Sequence, residues 1–264
     1  VLPGESNEEV FLSTYICHPS MANNELSGPT VVTYLAKWLS QLTTHRYTYR
    51  FIFIPETIGS ITYLSRNYKH LKNNVVAGFN VSCVGDDRSY SYIPSRNGKT
   101  ISDTVSKHVL KWIDPDYTVY SWLDRGSDER QYCAPGIDLP IASILRTKYG
   151  QYPEYHTSLD NLKDVVTPKG LEGGYNAIRR ALELLEKNRN YKVNVLCEPQ
   201  MGKRGLYQTL SIKKKDEQGR LMMDFISHCD GKNSLLDIAD LIGVPAWNLY
   251  EIISKLESHN LISY

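Results

Sequence analysis

Val10–Cys17 reads VFLSTYIC, His18–Ser20 reads HPS, and Asn23–Gly28 reads NNELSG; this stretch decides the fold. Its first eight residues are a nearly unbroken run rich in β-formers, the pattern of a strand buried on both faces. At Gly28 the period changes. Val31, Leu35, Trp38, Leu39 and Leu42 share one face of a helix expected over Gly28–Leu42. A buried strand feeding an amphipathic helix is the unit of a parallel, helix-covered sheet.

Working outward, the unit repeats. Tyr49–Ile54 (YRFIFI) is a second expected strand, ended by Pro55, with a helix over Ile58–Leu71 after it. A third strand is expected at Val75–Val84, a helix at Ile101–Trp112 and a later strand at Leu139–Leu145. Gly170–Asn188 is the clearest helix, with Ile178, Ala181, Leu182 and Leu185 as its apolar stripe. The expected class is therefore α/β.

Composition bounds the rest. A chain of 264 residues accommodates one sizeable core and a small satellite. With 41% apolar and 22% charged residues it belongs with folded rather than disordered chains. The 30 Lys+Arg and 29 Asp+Glu leave a net charge of +1, so no overall footprint for nucleic acid or an anionic membrane surface is present. No apolar run approaches the roughly 20 residues needed to span a bilayer, and no secretory leader opens the chain. Cys17, Cys83, Cys133, Cys197 and Cys229 are odd in number and never in CxxC, which suits reduced thiols and a cytoplasmic location. The chain opens on Val1 and runs straight into a strand, so it reads as a fragment whose upstream region is missing.

After Val195 the texture changes. Cys197–Lys215 holds Pro199, Gly202, Gly205 and a Lys-Lys-Lys run, a connector with one short strand. The boundary is expected near residue 198, giving domains 1–198 and 199–264. From Leu221 short helices follow. A helix beginning at Ser234, a turn at Gly243, a second helix and a terminal Asn260-Leu261-Ile262 strand resemble a winged helix. Residues 201–264 carry eight Lys+Arg and eight Asp+Glu, and the second helix offers Lys255 against Glu251 and Glu257. DNA reading wants a basic module with donors on that helix. The module is read instead as a unit for a protein partner or self-association, with nucleic acid not expected.

In open α/β sheets, ligands sit beyond the carboxyl ends of the strands. The phrases there are Cys17–Ser20 with Asn23–Gly28, Pro55–Ser60, Val84–Asp87, Gly126–Glu129 and Tyr155–Asp160. Two histidines and several carboxylates from distant segments fall on one rim, as in many catalytic metal sites.

These phrases resemble the co-catalytic zinc aminopeptidases, relatives of glutaminyl cyclases and glutamate carboxypeptidase. The family pattern is a His after the first strand, then Asp-(Asp/Asn)-x-Ser-Gly opening a helix. A Glu-Glu pair, an Asp, a Ser-Asp before Gly-Ile-Pro, and Tyr-His-Thr follow. Here stand His18, Asn24-Glu25-Leu26-Ser27-Gly28, Glu56, Ser127-Asp128, Gly136-Ile137 with Pro140, and Tyr155-His156-Thr157 with Asp160. The chain is especially similar to aminopeptidase-like proteins of bacterial surface-polysaccharide gene clusters, which carry a C-terminal winged helix. The resemblance implies a mostly parallel mixed sheet covered by helices, plus that small C-terminal domain.

The departures matter as much. Where the family has its bridging Asp this chain has Asn24; the second Glu is Thr57, the later Asp ligand is Ser82, and the Asp that supports the first His is Ser20. A metal bridge needs a shared carboxylate, so one zinc ion at most is expected. Its ligands would be His18, His156 and an oxygen from Asn24, with Glu25, Glu56, Asp86 and Asp87 as alternatives. The resemblance favours Glu56 as general base, with a ligand role as the rival. Asp128 and Tyr155 are the expected substrate contacts; Asp128 also reads as a helix cap. Arg125 and Arg130 read either as grips for an anionic group or as solvated charge. Two functions follow as expectations. One is a metal-dependent amide hydrolase with a depleted site, acting on a peptide or an N-acylated small molecule. The other is a degenerate relative serving as an adaptor in surface-polysaccharide biosynthesis.

Overall fold

A computed structural model describes residues 1–206 and 217–264. The chain divides into two compact units, Val1–Leu182 and Glu183–Tyr264. Residues 207–216, within the segment where a short connector strand was expected, lie outside the described residues.

In the first unit β1 (Glu9–Tyr15) is buried along its whole length. A five-residue π-turn, Ala22–Leu26, leads into α1 (Ser27–Ser40), which buries Val31, Leu35 and Leu39 as its period requires. There follow β2 (Thr48–Ile54), α2 (Ile58–Asn74), β3 (Val75–Asn80), β4 (Ser91–Ile93), α3 (Ile101–Ile113) and β5 (Thr118–Val119). Then come the single turn α4 (Glu129–Tyr132), β6 (Ile141–Leu145) and α5 (Pro168–Lys187).

The six strands run in the order β2-β1-β3-β6-β4-β5. β1 lies parallel to β2 and β3, and β3 parallel to β6, whereas β4 joins β6 antiparallel. The sheet is thus mixed and mostly parallel. Phe11, Leu71, Tyr132, Cys133 and Ile141 meet in one core cluster on the sheet.

β3 ends at Asn80, short of the expected Val84. Val81 N–H still donates to Ser13 O at 2.8 Å, and further on the amides turn to side chains: Val84 N–H donates to Ser27 Oγ at 3.0 Å and Gly85 N–H to Asn23 Oδ1 at 2.8 Å, so that stretch does not continue as strand. Gly28 is forced by the same crossing. A Cβ there would lie 2.4 Å from Thr14 Oγ1 and 2.5 Å from Val81 O, so only glycine lets α1 pass this close.

The second unit contains β7 (Asn190–Val193), α6 (Glu217–Ser227), β8 (Asp230–Ser234), α7 (Leu235–Ile242), α8 (Tyr250–Ser258) and β9 (Ile262–Ser263). Its antiparallel sheet runs β8-β7-β9, so a strand at residues 190–193, ahead of residue 198, pairs with the C-terminal elements. Ser234 caps α7 in a reciprocal pair with Asp237, and Gly243, at φ 69°, ends it. Ile238, Leu249, Ile252 and Leu256 fill the core between the short helices. This is a winged-helix arrangement with a small sheet. No helix among the described residues is long and apolar enough to cross a membrane.

Candidate functional site

The rim after β1 carries the first histidine. His18 donates from Nδ1 to Glu25 Oε1 at 2.6 Å, and Cys17 N–H donates to Glu25 Oε2 at 2.6 Å. Glu25 is almost wholly buried, and these two bonds use both of its oxygens. Glu25 lies in the five-residue π-turn, in which Asn23, Asn24 and Glu25 are all buried.

The turn is anchored from the far end of the unit. Asp160, fully buried, accepts Asn23 N–H at 2.7 Å and Asn24 N–H at 3.0 Å, with Tyr152 OH donating to it at 3.1 Å. The same loop delivers the second histidine. His156 sits at φ 56° and stacks on Tyr155 with ring centroids 3.9 Å apart. The rings of His18 and His156 are 4.7 Å apart.

Asn24 is buried beside them. Its Nδ2 donates to Tyr15 OH at 3.2 Å and Glu25 Oε1 at 3.1 Å, while its Oδ1 has no protein partner. Burial and the neighbouring carboxylates Glu56 and Glu25 hold the Tyr15 and Tyr155 phenols above their ordinary range, with Cys83 contributing. Both therefore stay neutral and able to donate. That shared influence also puts Glu56, half-buried at the end of β2, within electrostatic reach of the two tyrosines.

Asp128 is fully buried, and its Oδ2 has no protein partner. Its Oδ1 accepts Thr57 N–H and Ser60 Oγ–H, each at 2.7 Å, and makes no side-chain cap to α4. Burial pushes its carboxyl up to about 6, aided by the Glu56 and Glu129 charges and opposed by those two hydrogen bonds. Arg130 donates to Thr57 Oγ1 and Ser127 O, and Arg125 donates to Trp122 O while lying over its ring, so both guanidiniums have internal partners. Asp86, weighed as an alternative ligand, is taken by Asn23 Nδ2 and by the Thr147 amide and hydroxyl.

The sequence placed His18, Asn24, Glu56, Asp128, Tyr155 and His156 on this rim. It missed the roles of Glu25 as partner of His18 and of Thr57 and Ser60 as partners of Asp128.

A model of the family described as a domain of unknown function, DUF4910, matches residues 1–188, and a winged helix-turn-helix model matches residues 189–264. The chain belongs to the DUF4910 family. A candidate polysaccharide biosynthesis protein with an aminopeptidase-like domain from Clostridium acetobutylicum is 44% identical over 238 residues, covering 89% of this chain and 54% of that protein. The crystal structure of a candidate peptidase from Clostridium acetobutylicum matches with a TM-score of 0.89 and 40% identity, over 99% of this chain and 58% of the other. This chain thus spans a little over half the length of these relatives. The DUF4910 unit shares its fold with a zinc aminopeptidase from Bacillus subtilis, at a TM-score of 0.59 and 17% identity over 70% of this chain and 48% of that one. A glutaminyl cyclase from Porphyromonas gingivalis matches at 0.56 and 17%, over 69% and 73%.

Whether the DUF4910 unit suits a zinc ion such as that of the Bacillus subtilis aminopeptidase is a question of donors. Among the described residues no three His, Cys, Asp or Glu side chains are grouped to hold a metal. Asn24, at the position where the resemblance has a bridging acid, is a neutral amide and offers no carboxylate to be shared between two ions. A single ion would need a neutral oxygen as third donor, and Asn24 Oδ1 is buried and without a partner, on the amide whose Nδ2 shares Glu25 Oε1 with His18 Nδ1.

Proposed function

We propose that the DUF4910 unit is an aminopeptidase-like amide hydrolase with a thinned metal site, holding one zinc ion at most between His18, His156 and Asn24 Oδ1. The observation that carries this reading is the pairing of two adjacent imidazoles with a buried, unpartnered carbonyl oxygen. Zinc, when bound, supplies Lewis-acid polarisation of a carbonyl and acidifies water.

The chain's own residues do the rest. Glu25 fixes the His18 tautomer by accepting from Nδ1, which leaves Nε2 as the free donor atom. Tyr155 holds the His156 ring by stacking. Glu56 takes a proton from the attacking water and returns it to the leaving amine. The substrate is a peptide or an N-acylated small molecule, and Tyr155 is its neutral donor. The free cysteines suit a reducing cytoplasm, and the winged-helix unit serves a protein contact or self-association rather than nucleic acid.

Elemental analysis of the untagged protein should find no more than one zinc per chain. Glu56→Gln keeps size and hydrogen bonding, so it should cut hydrolysis of an aminoacyl amide by about 10²–10⁴-fold with zinc retained. Loss of zinc in that variant would make Glu56 a ligand instead. One observation favours a second reading, an adaptor without chemistry in polysaccharide biosynthesis: four positions that are acidic in the resemblance, now Ser20, Asn24, Thr57 and Ser82, are neutral together. No hydrolysis with zinc added would select it.

A further inference from the structure

Thr57 stands at φ 61°, ψ −66°, where a β-branched residue rarely sits. Ile58 N–H donates to Glu56 O at 2.7 Å across it, so residues 56–58 form the strained γ-turn of the less common hand. Glu56 is the first residue of that turn, and its side-chain direction depends on the turn's survival. Such conformations persist only where their surroundings over-determine them.

Here the surroundings come from one remote segment. Asp128 Oδ1 accepts both the Thr57 N–H and the Ser60 hydroxyl at 2.7 Å. Arg130 Nη2 donates to Thr57 Oγ1 at 2.9 Å. Asp128 is fully buried, and its side chain does not cap the helix it precedes; its bonded oxygen is turned wholly to the start of α2.

We propose that Asp128 is a positioning residue for Glu56: by holding Thr57 and Ser60 it maintains the γ-turn that aims the Glu56 carboxylate into the site. This rests on the reading of Glu56 as general base. Asp128 acts through backbone geometry and touches no reacting atom.

The test uses the full chain with two readouts. Amide hydrogen exchange is followed for residues 55–60, and kcat and KM are measured on leucine p-nitroanilide with zinc added. Asp128→Ala should speed exchange of this segment about tenfold or more and leave β1 and α1 protected. It should lower kcat about tenfold or more with KM within about twofold, as misplacing a base does. Asp128→Asn keeps the accepting oxygen and should restore both. An Asp128→Ala protein with unchanged exchange at 55–60 overturns the proposal, and so does one whose KM alone rises, since that marks a substrate contact. If Asp128→Ala does not fold, Ser60→Ala removes one of the two tethers and should loosen the same segment; unchanged exchange there overturns the proposal equally. An unmodified protein without activity defeats the hydrolase reading, while the exchange arm still decides whether Asp128 holds the turn.

Discussion

Glu25 and His18 are joined at 2.6 Å, Oε1 to Nδ1, by a bond formed entirely within the loop that links β1 to α1. In the resemblance the supporting acid comes two residues after the histidine, where this chain has Ser20. The π-turn brings in a substitute seven residues on. The carboxylate support that the resemblance gives to the first histidine is therefore present from another residue. Glu25→Gln should lower zinc affinity about 10–100-fold, as loss of an outer carboxylate does elsewhere. Competition with a chromophoric chelator measures it, and unchanged affinity would remove His18 from the ligand set.

Asn24→Asp tests the same site from the other side. The new carboxylate would face Glu25 Oε1, to which Asn24 Nδ2 now donates at 3.1 Å. Two buried like charges destabilise the metal-free protein by roughly 1–3 kcal/mol, and zinc relieves them. The variant should melt earlier than the unmodified protein without zinc and gain more from zinc, with affinity raised about tenfold or more. Calorimetric scans with and without the metal give both numbers. An equal zinc response in the two proteins counts against Asn24 as a donor.

Asp128 makes stability depend on pH in a direction opposite to that of a salt-bridged carboxylate. Its folded-state value of about 6 is raised from 3.8, so the folded protein binds the proton more tightly than the unfolded chain. Stability from this group is complete below about pH 4 and falls as pH rises towards and through about 6. The span corresponds to roughly 3 kcal/mol. Asp128→Asn cannot ionise, so its stability relative to the unmodified protein should improve by about that amount between pH 4 and pH 8. Urea titrations at the two pH values check the sign. A relative stability independent of pH would mean that the buried carboxyl titrates normally.

Gly28→Ala tests the close crossing behind the site. The added methyl meets Thr14 Oγ1 at 2.4 Å and the Val81 carbonyl at 2.5 Å, and the second of these is backbone and cannot swing away. α1 would have to move outward, at a cost of about 1–3 kcal/mol or more despite alanine's better helix propensity. The same movement would strain the Ser27 Oγ bond to Val84 N–H. Denaturant unfolding measures the loss, and a stabilised variant would show that the crossing has slack.

Four of the six strands of the first unit and its long helices α1, α2, α3 and α5 were legible in the sequence. Burial periodicity, covalent order and side-chain chemistry are local properties, and a run such as VFLSTYIC admits few structures. The mixed character of the sheet rested on the family resemblance. It follows from β4 meeting β6 antiparallel, and the three residues of β4 carry too little pattern to show a direction. That residues 84 and 85 do not continue the strand was equally hidden, because Ser27 and Asn23 capture the Val84 and Gly85 amides from another segment.

At the site, the sequence determined which donors exist; tertiary structure decided what each of them holds. Glu25 supports His18 from within a buried π-turn, and Asp128 serves Thr57 and Ser60 because α4 packs its segment against the start of α2. Both outcomes depend on which backbone and side-chain groups of distant segments are left without partners when the chain closes. A buried polar group must find a partner among whatever the fold brings near, and that choice is made in three dimensions.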